Sequence, residues 1–316
     1  MTNWIAIAIL AGLVAALAFS AAIIVPTAWT LLFFFAPLPL FVAGLGYGLT
    51  VTLVAAAVGA LALLAAVNLP AGILFFATAG LPAIVAVRLA LLSRSVQTAP
   101  EAAPTLEWYP EGRIVLAIAL LATLLVTALL LSMGPGIEQY AATFSTQLDA
   151  MLKIEGPTPV TPEQVAQVKG FLLRIFPFAA GAGWTAITFL NFRLALAITS
   201  QLKIGARPPI RFGSMSFPMG ALGLLAAAVA TLVLPGMPGL VGLAFLGAML
   251  IAFTILGLAV LHDLLEGHSM RFALLAALYF AVLVLGLLPA LPLVVLAVLD
   301  MVMGIRTRVR QAGSST

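Results

Sequence analysis

The chain has 316 residues, of which 64% are hydrophobic and 8% are charged, and its mean hydropathy is +1.24. Soluble globular domains contain about 25% charged residues, so this composition excludes a soluble enzyme and predicts a protein embedded in a lipid bilayer. The net charge of +4 is not arranged as a basic stripe with interleaved aromatic residues, so nucleic acid is not a predicted partner.

Apolar runs of roughly 20 residues, the length that crosses a bilayer, follow one another along the sequence and are separated by prolines, glycines and charges. We predict an all-α polytopic membrane protein with about ten transmembrane helices. The number falls to as few as eight if the runs interrupted near Pro37 and Pro289 merge. The predicted spans are 4–25, 28–46, 48–67, 70–92, 113–133, 171–200, 214–234, 238–261, 271–288 and 290–304.

Two long connections divide these spans into segments. The first is rich in proline and is typical of a flexible link. In the second, apolar residues recur every three or four positions from Ile137 to Met151, which predicts an amphipathic helix. The predicted segments are 1–92 (four membrane helices), 93–112 (Pro-rich cytoplasmic loop), 113–203 (two spans joined by the extracytoplasmic amphipathic helix of 134–170), 204–305 (four membrane helices) and 306–316 (basic tail).

Lys and Arg residues predict the orientation, because they concentrate in short cytoplasmic loops. In the ten-span topology most of them fall on one side, in the connections around residues 88–113, 203–211 and 271 and in the basic tail. The sequence therefore predicts a multi-pass protein of a bacterial inner membrane, with both termini in the cytoplasm.

The residues that most enzymes and metal sites need are scarce. There is no cysteine, so no disulfide, thiolate nucleophile or Cys-ligated zinc can form. The two histidines, His262 and His268, are best interpreted as ordinary loop residues. We expect no catalytic residue, metal site or cofactor, and hence no enzyme. A metal held by these histidines with Asp263 and Glu266 would contradict that expectation.

Polar side chains within a predicted span are candidates for function, because burying them in hydrocarbon is costly. The sixth span contains Trp184, Thr188 and Asn191 on one helical face, with Thr185 beside them. These four residues are the candidate ligand-binding site, in which the indole stacks on a ligand and the amide forms hydrogen bonds with it. The alternative is that Asn191 bonds to a neighbouring helix while Trp184 fills space.

Two charged residues near span ends have simpler explanations. Arg193 can extend to the cytoplasmic surface. Asp300 lies about one and a half helical turns before Arg306, and a pair with a basic neighbour is favoured over a proton relay. Because no two carboxylates occur at mid-depth, ion-coupled transport is disfavoured.

The first span has small residues at helical spacing, which allow helices to approach closely. Ala8, Gly12 and Ala16 share one face, and Ala11 and Ala15 share another. We consider Ala11 and Ala15 as a docking surface for a partner membrane protein.

Several short motifs suggest a family. They occupy residues 37–48, 80–83, 108–113 and 299–300, and with them the chain resembles the YybS-like family of predicted bacterial inner-membrane proteins. The first six spans also resemble the S-component of energy-coupling-factor transporters, in which a Pro-x-x-x-x-Gly segment, here Pro39 to Gly44, follows the first helix.

The S-component resemblance implies an outward-opening ligand pocket formed partly by the sixth helix, which loosely assigns Trp184, Thr185 and Asn191 to it. It also implies docking to a coupling subunit through Ala11 and Ala15. The four extra spans after Lys203 depart from that pattern. The leading hypothesis is therefore binding of a small hydrophobic or amphipathic molecule, with transport as a further step. The alternative is a non-transporting scaffold or assembly factor that binds other membrane proteins.

Overall fold

The computed structural model describes residues 3–24, 30–97, 104–154, 162–285 and 288–313. It confirms the all-α polytopic fold and adds one short hairpin. The helices are α1 (Trp4–Ile24), α2 (Thr30–Phe34), α3 (Leu38–Tyr47), α4 (Leu49–Ala66), α5 (Leu69–Phe75), α6 (Leu81–Ala90), α7 (Glu111–Met133), α8 (Ile137–Ile154), α9 (Pro162–Gln201), α10 (Gly220–Ala230), α11 (Gly236–Leu264), α12 (Arg271–Leu285), α13 (Ala290–Met303) and α14 (Ile305–Gly313), and the strands are β1 (Ser93–Val96) and β2 (Thr105–Trp108).

Within the described residues, six helices are long and apolar enough to cross a membrane, or seven if the bent pair α13–α14 counts as one span. This number is below the predicted eight to ten. The difference comes from three shorter apolar helices, at Leu31–Tyr47, Gly220–Val233 and Arg271–Val282. The first of these contains the break at Pro37 that the sequence indicated, and α5 and α6 are joined by a π-helical turn at Phe76–Gly80.

The chain forms two compact units, each built from two separate stretches of sequence. Unit 1 comprises residues 1–118 and 186–216, and unit 2 comprises residues 119–185 and 217–316. The divisions fall within α7 and within α9. The units are therefore interleaved along the chain. The five segments suggested by the sequence stay a prediction.

In unit 1, the core forms where α1 and α4 approach closely. A Cβ atom added at Gly12 would overlap the carbonyl oxygen of Ala55, and one at Gly59 would lie 2.9 Å from the carbonyl oxygen of Gly12. The two glycines therefore allow backbone-to-backbone contact, as small residues do between membrane helices. The ring of Phe75 from α5 closes the same region and makes an edge contact with Phe19.

The loop expected to be a flexible link contains an antiparallel hairpin. In it Ser93 pairs with Trp108 and Val96 pairs with Thr105. An ion pair between Arg94 and Glu107, 2.6 Å apart, joins the two strands across the hairpin. The prediction of flexibility was wrong for these strands, because proline content says nothing about which residues pair.

In unit 2, α11 packs closely against α9 and α13. A Cβ atom at Gly247 would overlap the carbonyl oxygen of Phe178, and one at Gly257 would overlap that of Leu293. The predicted amphipathic helix is confirmed as α8, and its Tyr140 is fully buried in a cluster with Leu130 and other apolar residues.

The last two helices are fixed by ion pairs. The carboxylate of Asp300 accepts hydrogen bonds from the backbone N–H and the Nε of Arg306, at 3.0 and 2.9 Å. The predicted pairing of Asp300 with a basic neighbour is thus confirmed. Arg310 donates to both oxygens of Asp263, at 2.6 and 2.8 Å, so α14 is attached to the end of α11.

Candidate functional site

An apolar cavity lies within unit 2, between α9, α11, α12 and α13. Its volume is about 310 Å³, at the lower end of the roughly 300–1,000 Å³ found for small-molecule sites. Phe178 and Ala182 of α9 line one side, and Leu250 and Thr254 of α11 line another. Because the Thr254 hydroxyl donates to the Leu250 carbonyl at 2.7 Å, the wall offers a ligand mainly apolar surface.

The α12–α13 side of this cavity reaches the molecular surface. Leu285, Leu288 and Leu291 line the cavity, and they are 54%, 68% and 57% exposed. These leucines therefore contact both the cavity and the surroundings of the protein.

A hydrogen bond between α8 and α9 lies near the cavity wall. Pro177 lies inside α9, and as a proline it has no N–H to donate to the carbonyl of Leu173, four residues earlier. The hydroxyl of Tyr140 donates to that carbonyl instead, at 3.0 Å. The Tyr140 side chain thus supplies the hydrogen bond that Pro177 cannot make. Pro177 directly precedes Phe178, which lines the cavity.

The four predicted site residues are divided between the two units. Trp184 and Thr185 belong to unit 2, whereas Thr188 and Asn191 belong to unit 1. Trp184 is half-buried, and the hydroxyl of Thr185 donates to the Gly181 carbonyl at 2.8 Å. None of the four is among the described residues that line the cavity of unit 2. A ligand-binding role for them stays a prediction.

Asn191 makes the helix-to-helix contact that the sequence left open as the alternative. It is fully buried, and its Nδ2 donates to the carbonyls of Phe34 and Ile187, both at 2.8 Å. Phe34 ends α2, a short helix whose terminal carbonyls lack partners within the helix. The amide therefore completes the end of a broken segment, while its Oδ1 has no hydrogen-bond partner among the described residues.

The predicted docking residues of α1 lie largely inside unit 1. Ala15 is fully buried and Ala11 is partly buried. The exposed face of α1 consists of larger residues, among them Leu10, Val14 and Leu17. Docking through Ala11 and Ala15 stays a prediction, and the surface that α1 presents is the leucine-rich one.

A buried charged cluster in unit 1 was not foreseen. Glu111, whose side chain is only 2% exposed, accepts a hydrogen bond from Arg193 at 2.8 Å. Arg193 was expected to extend to the surface, but it pairs with Glu111 and lies over the Phe212 ring, 5.3 Å from its centre. Breaking a buried pair by removing one partner costs about 3–5 kcal/mol, so this pair constrains the unit strongly.

Arg207 completes the cluster. Its guanidinium donates to the carbonyls of Ala90 and Tyr109, at 2.9 and 2.8 Å, and so connects the end of α6 to the residue that follows β2. Burial lowers the pKa of Arg207 and the nearby Glu111 carboxylate acts in the opposite direction. The hairpin is thus held at its base by a buried cation.

A second cavity, of about 330 Å³, lies beside the hairpin in unit 1. Arg94 and Glu107 of the strands, Trp108, Tyr109 and Arg113 line it. The Arg113 guanidinium lies over the Tyr109 ring, 5.9 Å from its centre. The cavity therefore combines two cations, one carboxylate and two aromatic rings.

The interpretation of the two histidines as loop residues holds for His268, but His262 lies in the last turn of α11. Nδ1 of His262 lies 2.9 Å from the Leu258 carbonyl, so it is the protonated nitrogen and donates there. His268 accepts a hydrogen bond from the backbone N–H of Met270. No group of three or more potential metal ligands exists among the residues that the structure describes.

The sequence of the chain matches a family of membrane proteins. No curated protein and no solved structure matches the chain. The sequence model of the family described as "Predicted membrane protein (DUF2232)" matches residues 13–301. The chain therefore belongs to this family of membrane proteins.

Proposed function

We propose that this member of the DUF2232 family binds a small hydrophobic molecule in the apolar cavity of unit 2. The observation that supports the proposal is the cavity itself, which has a suitable volume and an almost wholly apolar wall. Burying apolar surface contributes roughly 25 cal/mol per Å². A ligand in this cavity is therefore selected by its shape and its apolar surface, and hydrogen bonding contributes little.

Transport is the further step of this proposal. A ligand that reaches the cavity past Leu285 and Leu291 comes from the hydrocarbon layer of the membrane. The distribution of basic residues favours a bacterial inner membrane, with both termini in the cytoplasm. The proposal of transport includes the YybS-like and S-component resemblances. It therefore also includes a coupling partner that uses ATP.

Photolabelling can test the binding site. The full-length protein, purified in mild detergent, is incubated with a diazirine-bearing fatty acid, irradiated, digested and mapped by mass spectrometry. We expect labelled peptides around Phe178, Thr254 and Leu291. Excess unlabelled fatty acid should compete for them.

Neighbouring positions in α13 provide a matched pair of variants. Val294 lines the cavity, whereas Val295 is 56% exposed and is not among the described lining residues. Val294→Phe should fill the cavity and reduce labelling of the three peptides at least tenfold, and Val295→Phe should leave it unchanged. Equal labelling in the two variants, or labels spread evenly over exposed helices such as α1, would contradict the proposal.

The hairpin supports a second candidate function, that of a scaffold. Leu106 is 62% exposed on an ordered element, which suits contact with another protein. A photo-crosslinking residue at position 106 in cells tests this. Crosslinks to an ATPase-coupled membrane module would favour transport, and crosslinks to a different membrane complex would favour the scaffold.

A further inference from the structure

The hairpin cavity of unit 1 lies at the level where a membrane meets water. The candidate span Leu69–Ala90 ends three residues before β1, and the candidate span Glu111–Met133 begins three residues after β2. Trp108 and Tyr109, which line the cavity, belong to the residue types that concentrate at this level of a membrane. A ligand in the cavity is therefore positioned beside lipid headgroups, whichever side of the membrane it occupies.

Arg113 has charge available for such a ligand. It is exposed, and among the described residues it makes no ion pair. Its guanidinium lies over the Tyr109 ring. Arg94 and Glu107 are the two other ionic residues of the wall. They pair with each other, so their charges cancel. A guanidinium can form two parallel hydrogen bonds with a phosphate, so Arg113 gives the cavity a net attraction for that group.

The Arg94–Glu107 pair can open at little cost. The two side chains are 76% and 53% exposed, and exposed ion pairs contribute only about 0–1 kcal/mol. Glu107 therefore competes weakly with any anion that approaches Arg94. By contrast, the nearby Glu111 is buried and engaged by Arg193, so it does not repel such an anion from the cavity wall.

We propose that this cavity binds the phosphate of an anionic membrane lipid, through Arg113 and, once released from Glu107, Arg94. The site is in unit 1 and does not depend on the apolar cavity of unit 2. The bound group is a phosphate diester, and the aromatic rings contact the glycerol and upper chain regions of the same lipid.

Native mass spectrometry of the full-length protein tests the proposal. The delipidated protein is titrated with phosphatidylglycerol or with phosphatidylcholine of the same acyl chains. We expect preferential retention of phosphatidylglycerol. Arg113→Gln should reduce the affinity about fivefold, since one basic residue near a membrane contributes about that factor, and Arg113→Lys should lose less.

Two further variants sharpen the test. Glu107→Gln removes the carboxylate that competes for Arg94, so it should increase retention of phosphatidylglycerol. If Glu107 only supported the fold of the site, the same change would weaken binding. Arg308→Gln removes another exposed arginine, from α14, and should change nothing. Thermal unfolding of each variant in the same detergent checks that the fold is intact.

A titration with inorganic phosphate distinguishes the source of the anion. Displacement of phosphatidylglycerol only by other anionic lipids supports a lipid site. Arg113-dependent binding of inorganic phosphate, without preference between the lipids, supports the same anion site with a soluble ligand. The proposal is overturned if Arg113→Gln and Arg308→Gln have equal effects, or if Glu107→Gln weakens binding.

Discussion

The hydrogen bond from Tyr140 to the Leu173 carbonyl makes a specific prediction about Pro177. In Tyr140→Phe the ring still fills its place in the core, but the carbonyl loses its donor. An unsatisfied buried carbonyl costs about 1–3 kcal/mol. In Pro177→Ala the new backbone N–H can donate to the same carbonyl, so the tyrosine hydroxyl becomes dispensable. The cost of Tyr140→Phe should then fall below about 1 kcal/mol.

The assay is a double-mutant cycle on the free energy of unfolding. The wild type, the two single variants and the double variant are unfolded by SDS titration in mild detergent and followed by circular dichroism. The expected coupling energy is about 1–2 kcal/mol, within the range for residues that share one hydrogen bond. Tyr279→Phe serves as control, because its hydroxyl lies 3.5 Å from His262 in an exposed position. Equal costs of Tyr140→Phe in both backgrounds would refute the reasoning.

The same tyrosine predicts a dependence of stability on pH. Burial raises the pKa of Tyr140 to about 12, whereas an unfolded tyrosine titrates near 10. The folded state thus retains the proton over this interval, so its stabilising effect is complete below about pH 10 and is lost as pH rises towards 12. The decline should be about 2–3 kcal/mol in the wild type. This contribution should be absent from the stability curve of Tyr140→Phe, and a wild-type decline no steeper than that variant's would contradict the burial of the phenol.

Five more substitutions test other contacts by the same unfolding assay. Glu111→Gln should cost about 3 kcal/mol, because it removes the charge partner of the half-buried Arg193, whereas Glu107→Gln should cost under 1 kcal/mol; similar values would contradict the difference in burial. Gly257→Ala should destabilise by about 1–3 kcal/mol, because its Cβ meets backbone. Gly223→Ala, with nothing within 4 Å of the added atom, should stabilise by up to about 1 kcal/mol. Asn191→Ala should cost about 1–3 kcal/mol, and no loss would show that the α2 carbonyl is satisfied otherwise.

The sequence was most informative where a local pattern determines structure. Apolar runs predict membrane helices because hydrocarbon offers no hydrogen-bond partners, so the backbone N–H and C=O groups must bond to one another within a helix. The periodic apolar residues around Tyr140 predict α8 because helical spacing places them on one face. Asp300 and Arg306 lie close in sequence, and their pairing was therefore visible before the structure.

The features that the sequence did not reveal depend on contacts between distant residues. Arg193 and Glu111 are 82 positions apart, so no local pattern pairs them. Phe178 and Ala182 line the apolar cavity, but their side chains contain no polar group, and only polar side chains within a span mark a candidate site in the sequence. The signal in the sequence is the run of alanine and glycine at 179–183, directly after Phe178, because small residues allow the close approach of α11.

The interleaving of the two units has a consequence for biosynthesis. Glu111 enters the membrane at the start of α7, but Arg193 follows 82 residues later, roughly 4–16 s at a synthesis rate of about 5–20 residues per second. During that interval unit 1 lacks residues 186–216 and its carboxylate has no arginine partner. A ribosome-bound intermediate must therefore keep Glu111 at the lipid–water boundary or shield it with another protein. Chains that terminate before Arg193 should be recognised and degraded by membrane proteases faster than chains that include residue 216.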